Sequence, residues 1–144
     1  MMLESFGAIL TFAAELEALD RAFYEAAAQN PSCEGEKELF ASFSRESAKG
    51  EKTALRVRRE NVTEMILEPI KDFSSDAFTC DRGTPMEADC GSILATARAL
   101  EGKALSFYDE ASIRIKALSE VARALKSLAK KRKARIKKLD ELPS

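Results

Sequence analysis

Histidine is absent from the 144 residues of this chain. Without histidine there is no Ser/His/Asp or Cys/His set for nucleophilic catalysis, and an imidazole-ligated metal site is excluded. The chain also lacks a glycine-rich phosphate-binding loop.

Cysteine is scarce, with three residues at Cys33, Cys80 and Cys90 and no CxxC spacing. An odd count without that spacing matches neither a disulfide framework nor a zinc site. We therefore expect three free thiols.

The chain also lacks a large excess of charge of either sign, and it lacks long apolar runs. The net charge is −1 with an isoelectric point near 5.7, so no general attraction to nucleic acid or membrane is expected. No apolar run approaches the length of a membrane span, and the apolar N-terminus carries Glu4 but no early Lys or Arg. These features predict a cytoplasmic protein without membrane contact.

Apolar residues recur at helical spacing in four segments. With 45% hydrophobic residues the chain can build one core, so we expect a single domain, 1–144. The predicted helices span about 3–29, 33–67, 85–116 and 120–142. Thr84 and Glu87 resemble a capping box at the third helix. Residues 68–84 lack periodicity and predict a long connection held by Ile70, Phe73 and Phe78.

The first and third predicted helices form an internal repeat at an offset of 84 residues. The matching positions begin at Gly7 and Gly91 and include a charged residue inside an apolar pattern. They are Gly7, Ile9, Leu10, Ala13, Leu16, Glu17, Phe23, Tyr24 and Ala27 against Gly91, Ile93, Leu94, Ala97, Leu100, Glu101, Phe107, Tyr108 and Ala111. Two duplicated helical hairpins joined by one long connection predict an all-α, ferritin-like four-helix bundle.

Glu17 and Glu101 each precede a tyrosine, Tyr24 or Tyr108, by two helical turns on the core face. A carboxylate in a core must meet a metal, a cation or a proton, because an unpaired buried charge costs several kcal/mol. We expect both tyrosines to be core residues that hydrogen-bond to these buried carboxylates.

The two Glu-(five residues)-Phe-Tyr segments resemble the rubrerythrin-like branch of the ferritin-like superfamily, as do the starts of helices two and four, Leu39–Ser44 and Leu125–Ala129. The resemblance implies two iron or manganese ions, held by one Glu from each of helices one and three and by a Glu-x-x-His pair from each of helices two and four. It also implies peroxide reduction, oxygen activation or iron oxidation.

The sequence departs from this family at the ligand positions of helices two and four. By the family's spacing these positions fall on Ser47 and Gly50 and on Arg132 and Arg135. Serine is a poor ligand, glycine has no side chain, and arginine is a fixed cation. A shift of helix two by one residue would instead present Glu46 and Lys49, and this alternative stays open.

The apolar pattern of helix four identifies the same two positions independently of the family resemblance. The seam Val121, Leu125, Leu128, Arg132, Arg135, Leu139, Leu142 follows steps of four and three, with two arginines at its middle. We infer that Arg132 and Arg135 neutralise Glu17 and Glu101. The alternative is that both arginines reach the surface from a frayed helix.

Three functions remain open. We favour a non-catalytic structural or binding protein without a cofactor. We expect it to form a homodimer and to have an unidentified protein or small-molecule partner. The second is a di-metal oxidoreductase or iron-binding protein that uses Glu17, Glu101 and perhaps Glu46 with iron or another divalent metal. The third is an anion- or nucleic-acid-binding helix four, which has nine basic residues and no acid between Arg123 and Lys138. For that stretch we favour a solvated, partly salt-bridged face without nucleic acid.

A long crossover would make helices two and three parallel and place Cys33 and Cys90 at one end of the bundle. An oxidised pair is conceivable there, but we expect both thiols to be free and readily alkylated.

Overall fold

Four α-helices form the protein in a computed structural model that describes residues 2–61, 70–115 and 117–142. They are α1 (Phe6–Gln29), α2 (Lys37–Glu60), α3 (Cys90–Arg114) and α4 (Ser119–Asp140), with short 3₁₀ helices at Pro31–Glu36 and Ser75–Phe78. The predicted all-α four-helix bundle is confirmed. Among the described helices, none has the length and apolarity needed to cross a bilayer.

Helix starts differ from prediction where a better cap lies nearby. The third helix begins at Cys90 rather than at residue 85, because the Asp89 side chain accepts a 2.8 Å hydrogen bond from the Ser92 backbone N–H. Thr84 and Glu87 form a turn ahead of it, joined by a 3.0 Å backbone hydrogen bond. The second helix begins at Lys37 rather than at 33, because the 3₁₀ helix occupies the preceding residues.

Three helices, α2, α3 and α4, end at earlier residues than predicted. The second helix ends at Glu60, and the rest of its predicted length, 62–67, lies outside the described residues. The third ends at Arg114, with the predicted end at residue 116 also outside the described part. The fourth ends at Asp140 instead of 142.

The long connection packs against the bundle as predicted. The Leu3 N–H donates to the Phe73 carbonyl at 2.7 Å, and the Ile70 N–H donates to the Glu4 carbonyl at 2.7 Å. The rings of Phe73 and Phe78 lie 6.2 and 5.6 Å from the ring of Phe107 on α3. Both rings are buried and Ile70 packs against the same cluster, so the three predicted anchors are confirmed.

The core consists of two apolar clusters separated by a polar layer. One cluster includes Phe12, Phe107 and Leu125, and the other includes Phe23, Phe40 and Leu139. Along every helix, polar residues occur between the two clusters and are buried: Glu17, Asp20, Ser47, Glu101, Arg132 and Arg135. This layer at mid-bundle is where functional groups meet.

Cys33 and Cys90 form a disulfide, with their Cα atoms 5.1 Å apart, so the expectation of free thiols at these two positions is wrong. The starts of α2 and α3 lie at the same end of the bundle, which brings together cysteines 57 residues apart in sequence. Cys33 is fully buried and so is not open to alkylation. Cys80 remains a free thiol, half-buried.

Candidate functional site

Arg132 lies at the centre of the polar layer and is only 1% exposed. Its Nη1 donates to Asp20 Oδ2 at 2.7 Å and to Glu101 Oε1 at 3.1 Å, and its Nη2 donates to Glu17 Oε2 at 2.7 Å. One guanidinium thus joins two carboxylates of α1 to one of α3. The expected contact between Arg132 and the two glutamates is confirmed.

Arg135 lies one turn further along α4 and is 2% exposed, so neither arginine extends to the surface. It donates from Nη1 to Ser47 Oγ at 2.9 Å and to Glu101 Oε2 at 3.3 Å. Its Nε donates to Glu46 Oε1 at 2.7 Å, and the guanidinium lies over the Phe43 ring at 5.7 Å. Arg135 therefore connects α2 to the carboxylates of the layer.

The two tyrosines cross between the duplicated halves. Tyr24 donates to Glu101 Oε2 at 2.5 Å, and Tyr108 donates to Glu17 Oε2 at 2.6 Å. Two helical turns are too far for a tyrosine to reach the glutamate of its own helix. Because α1 and α3 run antiparallel, each phenol instead lies opposite the glutamate of the other half. The predicted tyrosine–carboxylate bonds are confirmed, with this exchange of partners.

Asp20 is a third buried carboxylate, and it was not predicted from the sequence. It is fully buried, accepts from Arg132, and accepts at Oδ1 from Arg82 Nε at 2.8 Å. Arg82 comes from the long connection, so this bond ties the connection to the polar layer. A signal was present, because Asp20 lies three residues after Glu17 and so on the same helical face.

Helix two presents Ser47 and Gly50 to the layer, and both are buried. A Cβ added at Gly50 would lie 2.8 Å from Glu17 Oε1, so the close approach of α2 to Glu17 requires glycine. Glu46 also joins the site without any shift of register, because its side chain reaches Arg135 from the flank at 32% exposure. Lys49 lies on the exposed side of the helix.

Burial and charge fix the protonation states of the layer. Burial by itself would lower the pKa of Arg132, but the attraction of Glu101, Glu17 and Asp20 outweighs it and raises the pKa well above its ordinary value. Burial and the neighbouring glutamate charges raise the pKa of Tyr24 and of Tyr108 well above the ordinary value. The guanidinium therefore stays charged and both phenols stay protonated donors.

Asp20 behaves differently, because burial raises its pKa more than the attraction of Arg132 and Arg82 lowers it. With formal charges, the negative groups are Glu17, Asp20, Glu101 and Glu46, and the positive groups are Arg132, Arg135 and Arg82. The network is nearly balanced, with one carboxylate in excess. The expected balance of two arginines against two glutamates was therefore too simple.

Nearly every carboxylate oxygen in the layer already has a donor. Among the three buried acids, Glu17 Oε1 alone lacks a hydrogen-bond partner within the described residues, and it lies 4.0 Å from Arg135 Nη2. That oxygen faces a cavity of about 80 Å³ between α2 and α4, lined also by Gly50, Lys49 and Lys131. The hydrogen bonds of the layer therefore hold the buried carboxylates and guanidinium groups in fixed positions.

The basic residues of α4 divide into two groups. Arg132 and Arg135 point inward, whereas seven are exposed: Arg123, Lys126, Lys130, Lys131, Lys133, Lys137 and Lys138. None of the seven forms an ion pair with any residue in the described ranges. The exposed face is therefore not salt-bridged there, contrary to expectation.

Comparison with known proteins gives one family. A family model described as a ferritin-like domain matches residues 7–131, which include Glu17, Glu101 and both tyrosines and end immediately before Arg132. No curated protein and no solved structure matches the chain. Because the matched residues cover most of the sequence and the fold agrees, the chain belongs to the ferritin-like family.

Proposed function

We propose that this chain is a non-catalytic, rubrerythrin-like member of the family, in which an arginine–carboxylate network takes the place of the two metal ions. It then serves as a structural or binding protein. The observation that supports this most directly is the position of Arg132, whose guanidinium donates to Glu17, Asp20 and Glu101. A guanidinium placed among three carboxylates does the charge-neutralising work that a metal would otherwise do.

The donor set does not fit two metal ions. At the positions where the rubrerythrin-like resemblance implies Glu-x-x-His pairs, α2 offers a hydroxyl at Ser47 and no side chain at Gly50, and α4 offers two guanidinium groups. A divalent cation near Glu17 and Glu101 would be repelled by Arg132 and Arg135 and would have to displace their hydrogen bonds. No step of a metal-dependent reaction is therefore assigned to this site.

The network supports a structural role because its members come from every part of the fold. Arg132 joins α4 to α1 and α3, Arg135 joins α4 to α2, and Arg82 joins the connection to α1. Breaking a buried pair by removing one partner costs about 3–5 kcal/mol, a large part of the stability of a small domain. The layer therefore specifies how the two hairpins dock.

The proposal includes a homodimer in the cytoplasm. Leu19 on α1 and Leu55 on α2 are 52% and 45% exposed, and an interface with a second copy that covers them would add buried apolar area. Light scattering of the purified protein tests this part. A monomer at all concentrations would remove the dimer from the proposal without affecting the metal argument.

Metal analysis tests the proposed loss of the metal centre. We expect protein purified from iron-supplemented cells to be colourless, to carry substoichiometric iron, and to show no peroxidase or ferroxidase turnover above background. Stoichiometric iron with a visible charge-transfer band would contradict the proposal and would favour the di-metal enzyme.

A double variant, Arg132→Glu with Arg135→His, serves as the matched control. It restores the family's helix-four pair and removes both guanidinium groups, so metal should now bind beside Glu17 and Glu101. Ligand binding to the folded state raises its stability. We expect manganese or iron(II) to raise the melting temperature of the double variant and to leave that of the wild type unchanged.

A second candidate function rests on the exposed face of α4. Its seven basic side chains lack ion-pair partners among the described residues, which favours an anionic partner. Weak binding of nucleic acid that falls steeply with salt would support this candidate. No mobility shift at low salt would remove it.

A further inference from the structure

A second cluster of metal-ligating groups lies at the end of the bundle where α2 and α3 begin. Sulfur atoms of Cys33 and Cys90 and a carboxylate oxygen of Glu36 all lie within 4.8 Å of one another. The Cys90 sulfur is 3.6 Å from Glu36 Oε2. This cluster shares no residue with the arginine–carboxylate layer.

The two cysteine-bearing segments are held together without their disulfide. The Asn30 amide donates to the Pro85 carbonyl at 2.8 Å and to the Ala88 carbonyl at 2.7 Å. Its oxygen accepts from the backbone N–H of Ser32 at 2.9 Å. Asn30 is buried, so these bonds are shielded from water. Reduction of the disulfide would therefore leave both thiols close together and beside Glu36.

The cluster has one buried side and one accessible side. Cys33 is fully buried, whereas Cys90 and Glu36 are half-buried. Cys90 is the first residue of α3. A reductant or a metal ion can thus approach from the side of Cys90.

We propose that the Cys33–Cys90 pair is a redox-controlled site for a thiophilic divalent cation such as zinc. In the oxidised form the disulfide joins the two hairpins. A dithiol reductant supplies two electrons and two protons, cleaves the S–S bond to two thiols, and is itself oxidised to a disulfide. One zinc ion then displaces the two thiol protons and is held by both thiolates and the Glu36 carboxylate, with water as the fourth ligand.

The ligand types select this class of ion. Thiolates favour zinc over calcium or magnesium, and two sulfurs, one carboxylate and one water satisfy tetrahedral coordination. Cysteine pairs are kept reduced in reducing compartments, and there the dithiol form would be the one that meets metal.

Zinc titration of the oxidised and the reduced protein against a chromophoric chelator tests the proposal. We expect the reduced wild type to bind one equivalent of zinc and to release protons, and the oxidised protein to bind none there. Cobalt(II) should give a thiolate charge-transfer band in the reduced form alone. Equal zinc binding by the two forms would overturn the proposal, and this comparison needs no variant.

Variants assign the ligands. Cys80→Ser is the matched control and should bind zinc like the wild type, since it keeps both proposed thiols. Cys33→Ser should abolish the site, and Glu36→Gln should weaken it on the order of tenfold or more. Full zinc binding by reduced Cys33→Ser would overturn the assignment. Circular dichroism checks that each variant is folded.

Discussion

Among single side chains, Glu17 shows how tightly the polar layer is built. Its Oε2 accepts hydrogen bonds from Arg132 and Tyr108, whereas its Oε1 faces the backbone of Gly50 and the small cavity beside it. A carboxylate held in this way leaves little room for change on α2.

Gly50→Ala should destabilise the protein by about 1–3 kcal/mol, because the new Cβ would lie 2.8 Å from Glu17 Oε1 and force the carboxylate off its partners. Gly102→Ala is the matched control, since nothing lies within 4 Å of the added Cβ on α3. That change should stabilise by roughly 0.5–1 kcal/mol through helix propensity. Urea unfolding measures both, and a Gly50→Ala variant as stable as Gly102→Ala would contradict the packing described.

Asp20 should affect the pH dependence of stability. Burial raises its pKa in the folded protein, so below the raised value the folded state binds a proton that the unfolded chain does not. This group therefore increases the free energy of unfolding as pH falls below the raised pKa. Relative to Asp20→Asn, the wild type should become more stable as pH falls from neutral toward the ordinary carboxyl pKa, about 4. Urea unfolding at several pH values checks the sign, and a difference that is constant or reversed would refute it.

The helices show which boundaries a sequence can predict. The seam of α4 was predicted because its steps of four and three persist over the whole helix, and its arginines are buried as that pattern requires. The start of α3 was misplaced because Thr84 and Glu87 formed a capping pattern as good as the true cap at Asp89. Local patterns of equal quality compete, and tertiary contacts such as Asn30 to Pro85 decide between them.

Capping gives a prediction for α3. Asp89→Ala should lower the melting temperature, because its side chain accepts hydrogen bonds from the backbone N–H and the hydroxyl of Ser92. Thr84→Ala should change it little, since no side-chain cap at α3 depends on that residue. Equal effects of the two substitutions would place the helix start at the position first predicted from sequence.

For the whole molecule, duplication explains both what could be predicted and what could not. The repeat predicted the four-helix bundle, and it identified the two glutamates and the two tyrosines because these residues match between the halves. Asp20 was missed because its counterpart in the other half is Ala104, and the disulfide was missed because a separation of 57 residues carries no local signal. The exchange of tyrosines between halves follows from antiparallel packing of α1 and α3, which only the fold reveals.

Arg132 is the buried counter-ion of the carboxylates in the layer. A double-mutant cycle of Arg132→Leu, Glu101→Leu and the double variant tests it most directly, read by urea unfolding and repeated with Glu17→Leu. Arg132→Leu alone should cost about 3–5 kcal/mol because it leaves buried carboxylates without their counter-ion. The double variant should be more stable than the sum of the single losses predicts. Strictly additive losses in both cycles would show that Arg132 is not the counter-ion of these glutamates.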